Sequence, residues 1–240
     1  MIEMKTNKLF LAVAATMISL GSFAQTVDEI AEKHTAALGG ADKLKSVKTI
    51  ISERSLAVNG MDIPTKTILV VGKAVRSEST VMGNTMVQVL DGTTGWMIRP
   101  TMMGGTGEPE DMPAEVVKQT VSQLDPFGGL VDYKEKGNKV ELVGTEKVDK
   151  KDAFHLKLTT KDGQTIDEWV DAQTYLITKV KVEMAGQSSE ISFSDYKDTD
   201  GVKFAKTMDI TSPQGAISFI TNKVVVNGPV DEAVFKKPAK

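Results

Sequence analysis

A helical period of apolar positions marks the chain after residue 24. The apolar stripe consists of Val27, Ile30, Ala31, His34 and Leu38, at spacings of three and four residues. Thr26 and Glu29 have the spacing of a capping box at the start of this helix, and Gly39 and Gly40 end it. His34 lies on the stripe, so we expect it to pack inside the fold. A second short helical turn is predicted over residues 41–47.

From Thr49 onward the period changes from 3.6 to 2, which is typical of strands with one buried face. Apolar residues alternate with polar ones most clearly at Phe154, Leu156 and Leu158, at Val180, Val182 and Met184, and at Ile191 and Phe193. Turn dipeptides separate the runs at Asn59–Gly60, Gly83–Asn84, Asp91–Gly92, Gly137–Asn138, Asp162–Gly163, Gly186–Gln187, Asp200–Gly201 and Gln214–Gly215. The pattern predicts one meandering antiparallel sheet of about ten or eleven strands.

A sheet of that size accumulates twist and has to curl, because long twisted sheets do not stay flat. The segment 99–130 is the one interruption long enough to fill the inside of the curl. Residues 102–109 read as a loop, and Pro113–Leu124 reads as a helix that begins shortly after Asp111. Asp125–Pro126 then stops the helix. We interpret this segment as a candidate lid within a mainly β fold whose helices cover the concave side.

The first 24 residues have the organisation of a signal peptide. Lys5 and Lys8 precede the apolar run Leu9–Leu20, and residues 22–24 (Ser-Phe-Ala) make a small-x-small cleavage site. Twelve apolar residues are too few to span a hydrocarbon core of about 30 Å. We therefore predict cleavage after Ala24 and an exported, soluble protein of residues 25–240 with one domain, which in a two-membrane bacterium means the periplasm.

Composition removes most enzyme classes and leaves a binding protein favoured. The 240 residues include no Cys and two His, which excludes thiolate nucleophiles and cysteine-ligated metals and leaves little for a histidine site. The formal charge of −3 provides no basic surface for nucleic acid. The glycines of residues 104–107 lack the lysine of a phosphate loop. We predict no catalytic residues, no metal and no cofactor.

Methionines are concentrated around the central strands and the candidate lid. Seven fall within about fifty residues: Met61, Met82, Met86, Met97, Met102, Met103 and Met112. Methionine is flexible and polarisable, so it is used where a surface must fit apolar ligands of variable shape, and equally as a core filler. Both interpretations remain open for the strand positions. Met102 and Met103 stand in a loop, where side chains are normally polar.

The segment Asp91–Pro100 carries the clearest motif. It reads Asp-Gly-Thr-Thr-Gly-Trp-Met-Ile-Arg-Pro, in which Asp91–Gly92 forms a turn and Trp96 lies on the returning strand. This D-G-x-x-x-W-x-x-x-P pattern resembles the LolA-type periplasmic lipoprotein carriers, whose fold also includes outer-membrane lipoprotein receptors and sigma-factor-regulating sensors. Residues 193–204 resemble the late hairpin of those proteins, and residues 230–238 resemble their last segment. The likeness extends over essentially the whole chain after residue 24.

The resemblance implies an open, unclosed β-barrel with helices on its concave side around an apolar cavity for acyl chains. It implies an acyl-chain site lined by Met82, Met86, Leu90, Trp96, Met97, Met102, Met103, Val117, Val121 and Leu124. It also implies lipoprotein acyl chains or another lipid as partner, with an inner-membrane lipoprotein-releasing ABC transporter as donor, an outer-membrane acceptor, and a monomeric carrier. One feature departs from the family: the arginine that its carriers have near the positions of Val71 and Gly72 is missing, and the nearest arginine is Arg76.

Two other functions stay open at the level of sequence. The first is an envelope-stress sensor or interaction module on the same fold, which binds lipid or peptide and keeps a stable protein partner. The second is an exported hydrolase. A hydrolase needs clustered titratable groups, and its simplest forms depend on His34 or His155.

Overall fold

The computed structural model of the chain describes residues 25–58, 61–184 and 186–238. The predicted signal peptide, residues 1–24, and the predicted turn at Asn59–Gly60 lie outside the described residues.

The helices agree closely with the sequence pattern. Helix α1 is Val27–Leu38, α2 is Ala41–Ser46, and α3 is Ala114–Thr120, which continues as a 3-10 helix over Val121–Leu124. The capping box at Thr26 is present, with the Thr26 hydroxyl accepting from the Glu29 amide at 3.2 Å. Shorter 3-10 helices span Thr101–Met103 and Glu232–Phe235. Across the part of the chain that the structure describes, we find no helix with the length and apolarity that crossing a membrane requires.

The described residues contain thirteen strands, two or three more than predicted. They are β1 (Thr49–Val58), β2 (Met61–Val70), β3 (Ala74–Val81), β4 (Asn84–Asp91), β5 (Thr94–Ile98), β6 (Pro109–Asp111), β7 (Lys139–Val148), β8 (Lys151–Thr159), β9 (Thr165–Asp171), β10 (Ile177–Met184), β11 (Gln187–Thr199), β12 (Val202–Ser212) and β13 (Gly215–Val226). Strand β6 lies where the pattern predicted loop, because three residues are too few to show a period.

All thirteen strands join one antiparallel sheet in the order β6-β5-β4-β3-β2-β1-β13-β12-β11-β10-β9-β8-β7. Strands β6 and β7 are its two edges, so the sheet is not closed into a barrel. The first and last strands of the sequence, β1 and β13, are paired at its centre. The predicted single, open antiparallel sheet is confirmed.

Helix α1 shows that the sheet is curved. It contacts both β12 and β7, which are five strands apart in the sheet and so about 24 Å apart along it. Helix α1 has twelve residues and is about 18 Å long, so even lying across the strands it is too short to reach both on a flat sheet. The sheet therefore bends around α1. We call the helix-bearing side the inner face and the other side the outer face.

Two apolar clusters fix the helices to the inner face. Leu38 of α1 and Leu44 of α2 pack with Ile50, Leu69 and Val75 of the first three strands. In the second cluster, Ile30, Ala31, Leu130, Leu156 and Val170 pack together across α1, the segment after α3, β8 and β9. The last turn of α1 also lies against the β11–β12 turn.

The segment after β13 covers part of the outer face. Val230, Val234 and Phe235 pack against Val87, Val89 and other outer-face residues of β2–β5. Arg76 Nη1 donates to the carbonyl oxygen of Val234 at 2.7 Å. Arg76, the arginine nearest in sequence to the missing family position, therefore holds this segment on the outer face.

Candidate functional site

The inner face has one part that helices cover. Helix α3 lies over β3–β5: Val117 and Leu124 pack in the same cluster as Leu90 of β4. Gln88 Nε2 donates to the Thr120 hydroxyl at 2.9 Å, which ties the end of α3 to β4. The predicted lid helix therefore does lie on the inner face, and it fills the space above these strands with packed side chains.

Met86 and Met97 also belong to this covered part. Met86 is two residues from Gln88 on β4, and Met97 of β5 stands opposite Gln88 in the strand register. Alternate residues share a face of a strand, so both methionines lie on the inner face with Gln88. Met97 is buried and Met86 is half-buried. Of the ten predicted site residues, Met86, Leu90, Met97, Val117 and Leu124 are brought together here.

Trp96 lies on the opposite face from those five residues. It stands opposite Val89 in the register and packs with Phe235 in the outer-face cluster. Its indole Nε1 donates to the Phe235 carbonyl oxygen at 2.8 Å. The prediction that Trp96 lines the inner cavity therefore does not agree with the structure. The tryptophan anchors the C-terminal segment instead, because a one-residue step along a strand changes the face.

The four remaining predicted site residues, Met82, Met102, Met103 and Val121, are exposed. Met82, Met102 and Met103 lie at or near the β3–β4 hairpin. Met82 is 73% exposed at the tip of the β3–β4 hairpin. Asn84 Nδ2 donates to the Met82 carbonyl oxygen at 3.1 Å and to the Met102 sulfur at 3.3 Å, which brings the 101–103 helix to this hairpin. Met103 and Val121 are also exposed.

The inner face has a second part, formed by a cross-strand row of apolar residues. Strand register places Ile63 opposite Leu56, Leu56 opposite Phe219, Phe219 opposite Met208, and Met208 opposite Phe193. Leu56 is on the same face as Ile50 because β1 alternates regularly between them. The row crosses five strands, which is about 19 Å.

A second row runs parallel to the first. It crosses β13, β12, β11 and β10, and each of its residues stands opposite the next in the strand register: Ile217, Ile210, Ile191 and Val180. Val180 then faces Glu168 of β9, and Glu168 faces Leu156, which packs against α1. The first row is assigned to the inner face through Ile50, and the second row is assigned to the same face through Leu156.

We name the half-buried members of these rows the open apolar surface: Leu56, Phe219, Met208, Phe193, Ile217, Ile210, Ile191 and Val180. Each is half-buried. None of them belongs to the apolar clusters that the helices and the C-terminal segment form within the described residues. The alternation of Val180, Ile191 and Phe193 was visible in the sequence. Which strands are neighbours, and which side chains the helices leave uncovered, was not.

Two ionisable side chains lie on the inner face without matching partners. Glu168 is 4% exposed, and its Oε2 has no hydrogen-bond partner among the described residues. Burial raises its pKa to about 7, while the charge of Lys136 acts in the opposite direction. Arg54 of β1 has a buried Nε, also without a partner in the described ranges, and burial lowers the pKa of its guanidinium.

The two histidines have structural surroundings. His34 Nδ1 lies 2.7 Å from the Tyr175 carbonyl oxygen, and burial lowers the pKa of this imidazole. The expectation that His34 packs inside the fold is confirmed. His155 stacks on Trp169 with ring centroids 4.5 Å apart, and its Nε2 lies 2.8 Å from Asp167 Oδ1. Among the described residues, no three His, Asp or Glu side chains are grouped so that they could hold a metal ion.

A shallow depression of about 440 Å³ lies between β1 and β13, lined in part by Ser55, Ala57, Asp62, Ile220 and Asn222. Ser55 and Ala57 alternate with Leu56, so this depression is on the outer face. Its lining mixes polar and apolar side chains, whereas the open apolar surface is continuous across five strands.

Known structures share this architecture. An outer membrane lipoprotein-sorting domain from Vibrio parahaemolyticus superposes with a TM-score of 0.57 at 17% identity, covering 88% of this chain and 98% of that one. A LolA superfamily protein from Nitrosomonas europaea gives 0.60 at 13% identity, covering 89% and 99%. A DUF1329 family protein from Desulfovibrio piger gives 0.61 at 15% identity, covering 89% and 98%. Comparison of the sequence with protein-family models and with curated proteins gives no match. The chain has a LolA-like fold.

Proposed function

We propose that this protein is a carrier that binds acyl chains, of lipoproteins or of other lipids, on the open apolar surface of its curved sheet. The observation that carries the proposal is the pair of parallel apolar rows on the inner face, which stand outside the apolar clusters that the helices of the described residues form. The first row is about 19 Å long, which exceeds the length of one leaflet of a bilayer core, about 15 Å.

The physical need for such a carrier comes from the solubility of acyl chains. Each CH₂ group exposed to water costs about 0.8 kcal/mol, so a lipid-modified protein cannot cross an aqueous compartment unassisted. A surface that is apolar, half-buried and curved shields such a chain on several sides. We propose the periplasm as the compartment and outer-membrane lipoprotein sorting as the process, with a monomeric, non-catalytic carrier between an inner-membrane ABC transporter and an outer-membrane acceptor.

Helix α3 gives the proposed site a means of changing size. It is seven residues long and its N-terminal residue has no side-chain cap, so it is weakly stabilised by itself. If α3 moves away, Leu90, Met86 and Met97 would extend the apolar surface towards β4 and β5. Ligand and helix would then compete for the same side chains.

Two adjacent residues provide a matched test of the site. Phe219 is on the open apolar surface, whereas Ile220 is the next residue on β13 and points to the outer face, 39% exposed. Binding of an uncharged pyrene-labelled monoacylglycerol is measured by fluorescence titration. We expect Phe219→Asn to weaken binding about 10- to 100-fold, because burial of a large apolar side chain contributes roughly 1.5–3 kcal/mol. Ile220→Asn should leave binding unchanged.

The proposal fails if wild-type protein does not bind the lipid, or if the two variants weaken binding equally. Urea unfolding of both variants checks that a loss of binding is not a loss of fold. The finer proposal of lipoprotein sorting is tested with spheroplasts: purified protein added to the medium should release lipoproteins, and the Phe219→Asn variant should release fewer. If the protein binds lipid but releases no lipoproteins from spheroplasts, lipoprotein sorting is refuted and the proposal of a lipid carrier stands.

A further inference from the structure

Arg54 places a positive charge beside the open apolar surface. It lies on β1 two residues before Leu56, and strand alternation puts both side chains on the inner face. In the register Arg54 stands opposite Thr65 of β2 and Thr221 of β13. The strand register shifts beside this position, between Glu53 and Arg54. The guanidinium therefore sits near the middle of the sheet, where the polar part of the inner face meets the apolar rows.

Arg54 has no counter-ion within the described ranges of the chain. Among the described residues, no carboxylate lies within 4.0 Å of it, and its buried Nε has no hydrogen-bond partner. The adjacent Glu53 points to the outer face, where Lys223 lies 4.0 Å away. A half-buried cation without a counter-ion is costly, because burial removes part of the water that would stabilise it. An anion bound at this position would remove that cost.

Hydroxyl groups line the same part of the inner face. The Thr65 and Ser79 hydroxyls are hydrogen-bonded to each other at 2.9 Å and both residues are buried. Ser52, two residues before Arg54 on the same face, is 4% exposed. The inner face thus presents a cation with hydroxyls beside it, and the long apolar surface begins at the next inner-face position, Leu56. A polar head next to a long apolar chain is the arrangement of an acidic amphiphile.

Resting on the proposed function, we propose that Arg54 binds the carboxylate of a long-chain fatty acid whose hydrocarbon chain lies along the open apolar surface. A guanidinium offers parallel N–H donors that match a carboxylate. The site has one positive charge and a buried Nε, so it favours a compact head with a single negative charge. The Thr65 hydroxyl opposite Arg54 can donate to the same head group when Ser79 is the donor in the hydrogen bond that the two side chains share.

The test compares two pyrene-labelled lipids of equal chain length, the fatty acid and the uncharged monoacylglycerol, in fluorescence titrations at pH 8. We expect wild-type protein to bind the fatty acid at least tenfold more tightly. Arg54→Met should remove that preference and leave monoacylglycerol affinity unchanged, and Arg54→Lys should retain part of it. Lys66→Met removes an exposed charge from the outer face of the neighbouring strand and serves as the control, with no expected change.

Each other outcome has a defined meaning. Equal binding of the two lipids by wild type, or an undiminished preference in Arg54→Met, overturns the fatty-acid proposal while the carrier proposal stands. No binding of either lipid overturns the carrier proposal itself. Tighter binding of a lysophosphatidic acid of the same chain length overturns the assignment to a carboxylate. Urea unfolding of Arg54→Met establishes that it is folded, which we expect because the substitution removes a half-buried charge whose Nε has no partner among the described residues.

Discussion

Replacement of Glu168 by Gln should stabilise the protein in a pH-dependent manner. Glu168 is buried between Val180 and Leu156 in the second cross-strand row, with Oε2 unpartnered in the described part of the chain. Burial raises its pKa to about 7, against 4.5 for an ordinary glutamate. The folded protein therefore retains a proton that the unfolded chain has already lost over this pH range.

The sign and the size follow from proton linkage. Between pH 4.5 and 7 the folded state binds one proton more than the unfolded state, so the free energy of unfolding falls as the pH rises. Each unit corresponds to about 1.4 kcal/mol, and the interval of two to three units gives about 3 kcal/mol in total. This decrease in the free energy of unfolding is complete above pH 7 and absent below pH 4.5. A glutamine has no such ionisation, so the Glu168→Gln variant should avoid the loss.

The assay is urea unfolding followed by circular dichroism at pH 4.5 and at pH 8. We expect wild type and Glu168→Gln to differ little at pH 4.5, and the variant to be more stable by roughly 3 kcal/mol at pH 8. Glu32→Gln, at an exposed position of α1, is the control and should change stability by less than about 0.5 kcal/mol at either pH. A variant that is less stable than wild type at pH 8 would refute the reasoning, because it would mean that ionised Glu168 has a stabilising partner.

Two further predictions concern the positions of the helix and of the C-terminal segment. Gly39→Ala should destabilise the protein by more than about 2 kcal/mol in urea unfolding. A Cβ at this position would overlap the Gly201 carbonyl oxygen, and Gly39 has a φ of +140°. An unchanged unfolding midpoint would contradict the tight contact. Trp96→Phe should cost about 1–2 kcal/mol through loss of the hydrogen bond to Phe235 and should speed proteolysis after residue 228. Equal proteolysis rates in variant and wild type would show that the indole does not hold this segment.

Local patterns were sufficient to predict the type of most elements. The apolar stripe and capping box identified α1, and the Asp91–Gly92 turn identified the β4–β5 hairpin. Both are decided by residues close together in sequence, where spacing determines the face. Strand β6 was not predicted, because its pairing with β5 depends on the path of the loop that connects the two strands.

The candidate site was less accessible from sequence because it depends on long-range pairing. Phe219 and Leu56 are adjacent only because β13 pairs with β1, and no local pattern reveals that pairing. The family motif identified Trp96 as a conspicuous residue, yet its role depends on a segment more than a hundred residues later. Arg54 appeared unremarkable in sequence, since its lack of a partner emerges only when the neighbouring strands are in place.

The pairing of β1 with β13 at the centre of the sheet has a consequence for folding. Synthesis delivers β1 early, but its second edge remains without a partner until residues 215–226 have been made. Closing so long a loop is entropically costly, and folds dominated by distant contacts form slowly. During that interval the newly made chain carries an unsatisfied strand edge, which is prone to aggregation. A holding chaperone that shields β1 until β13 is available to pair with it would therefore raise the yield of native protein.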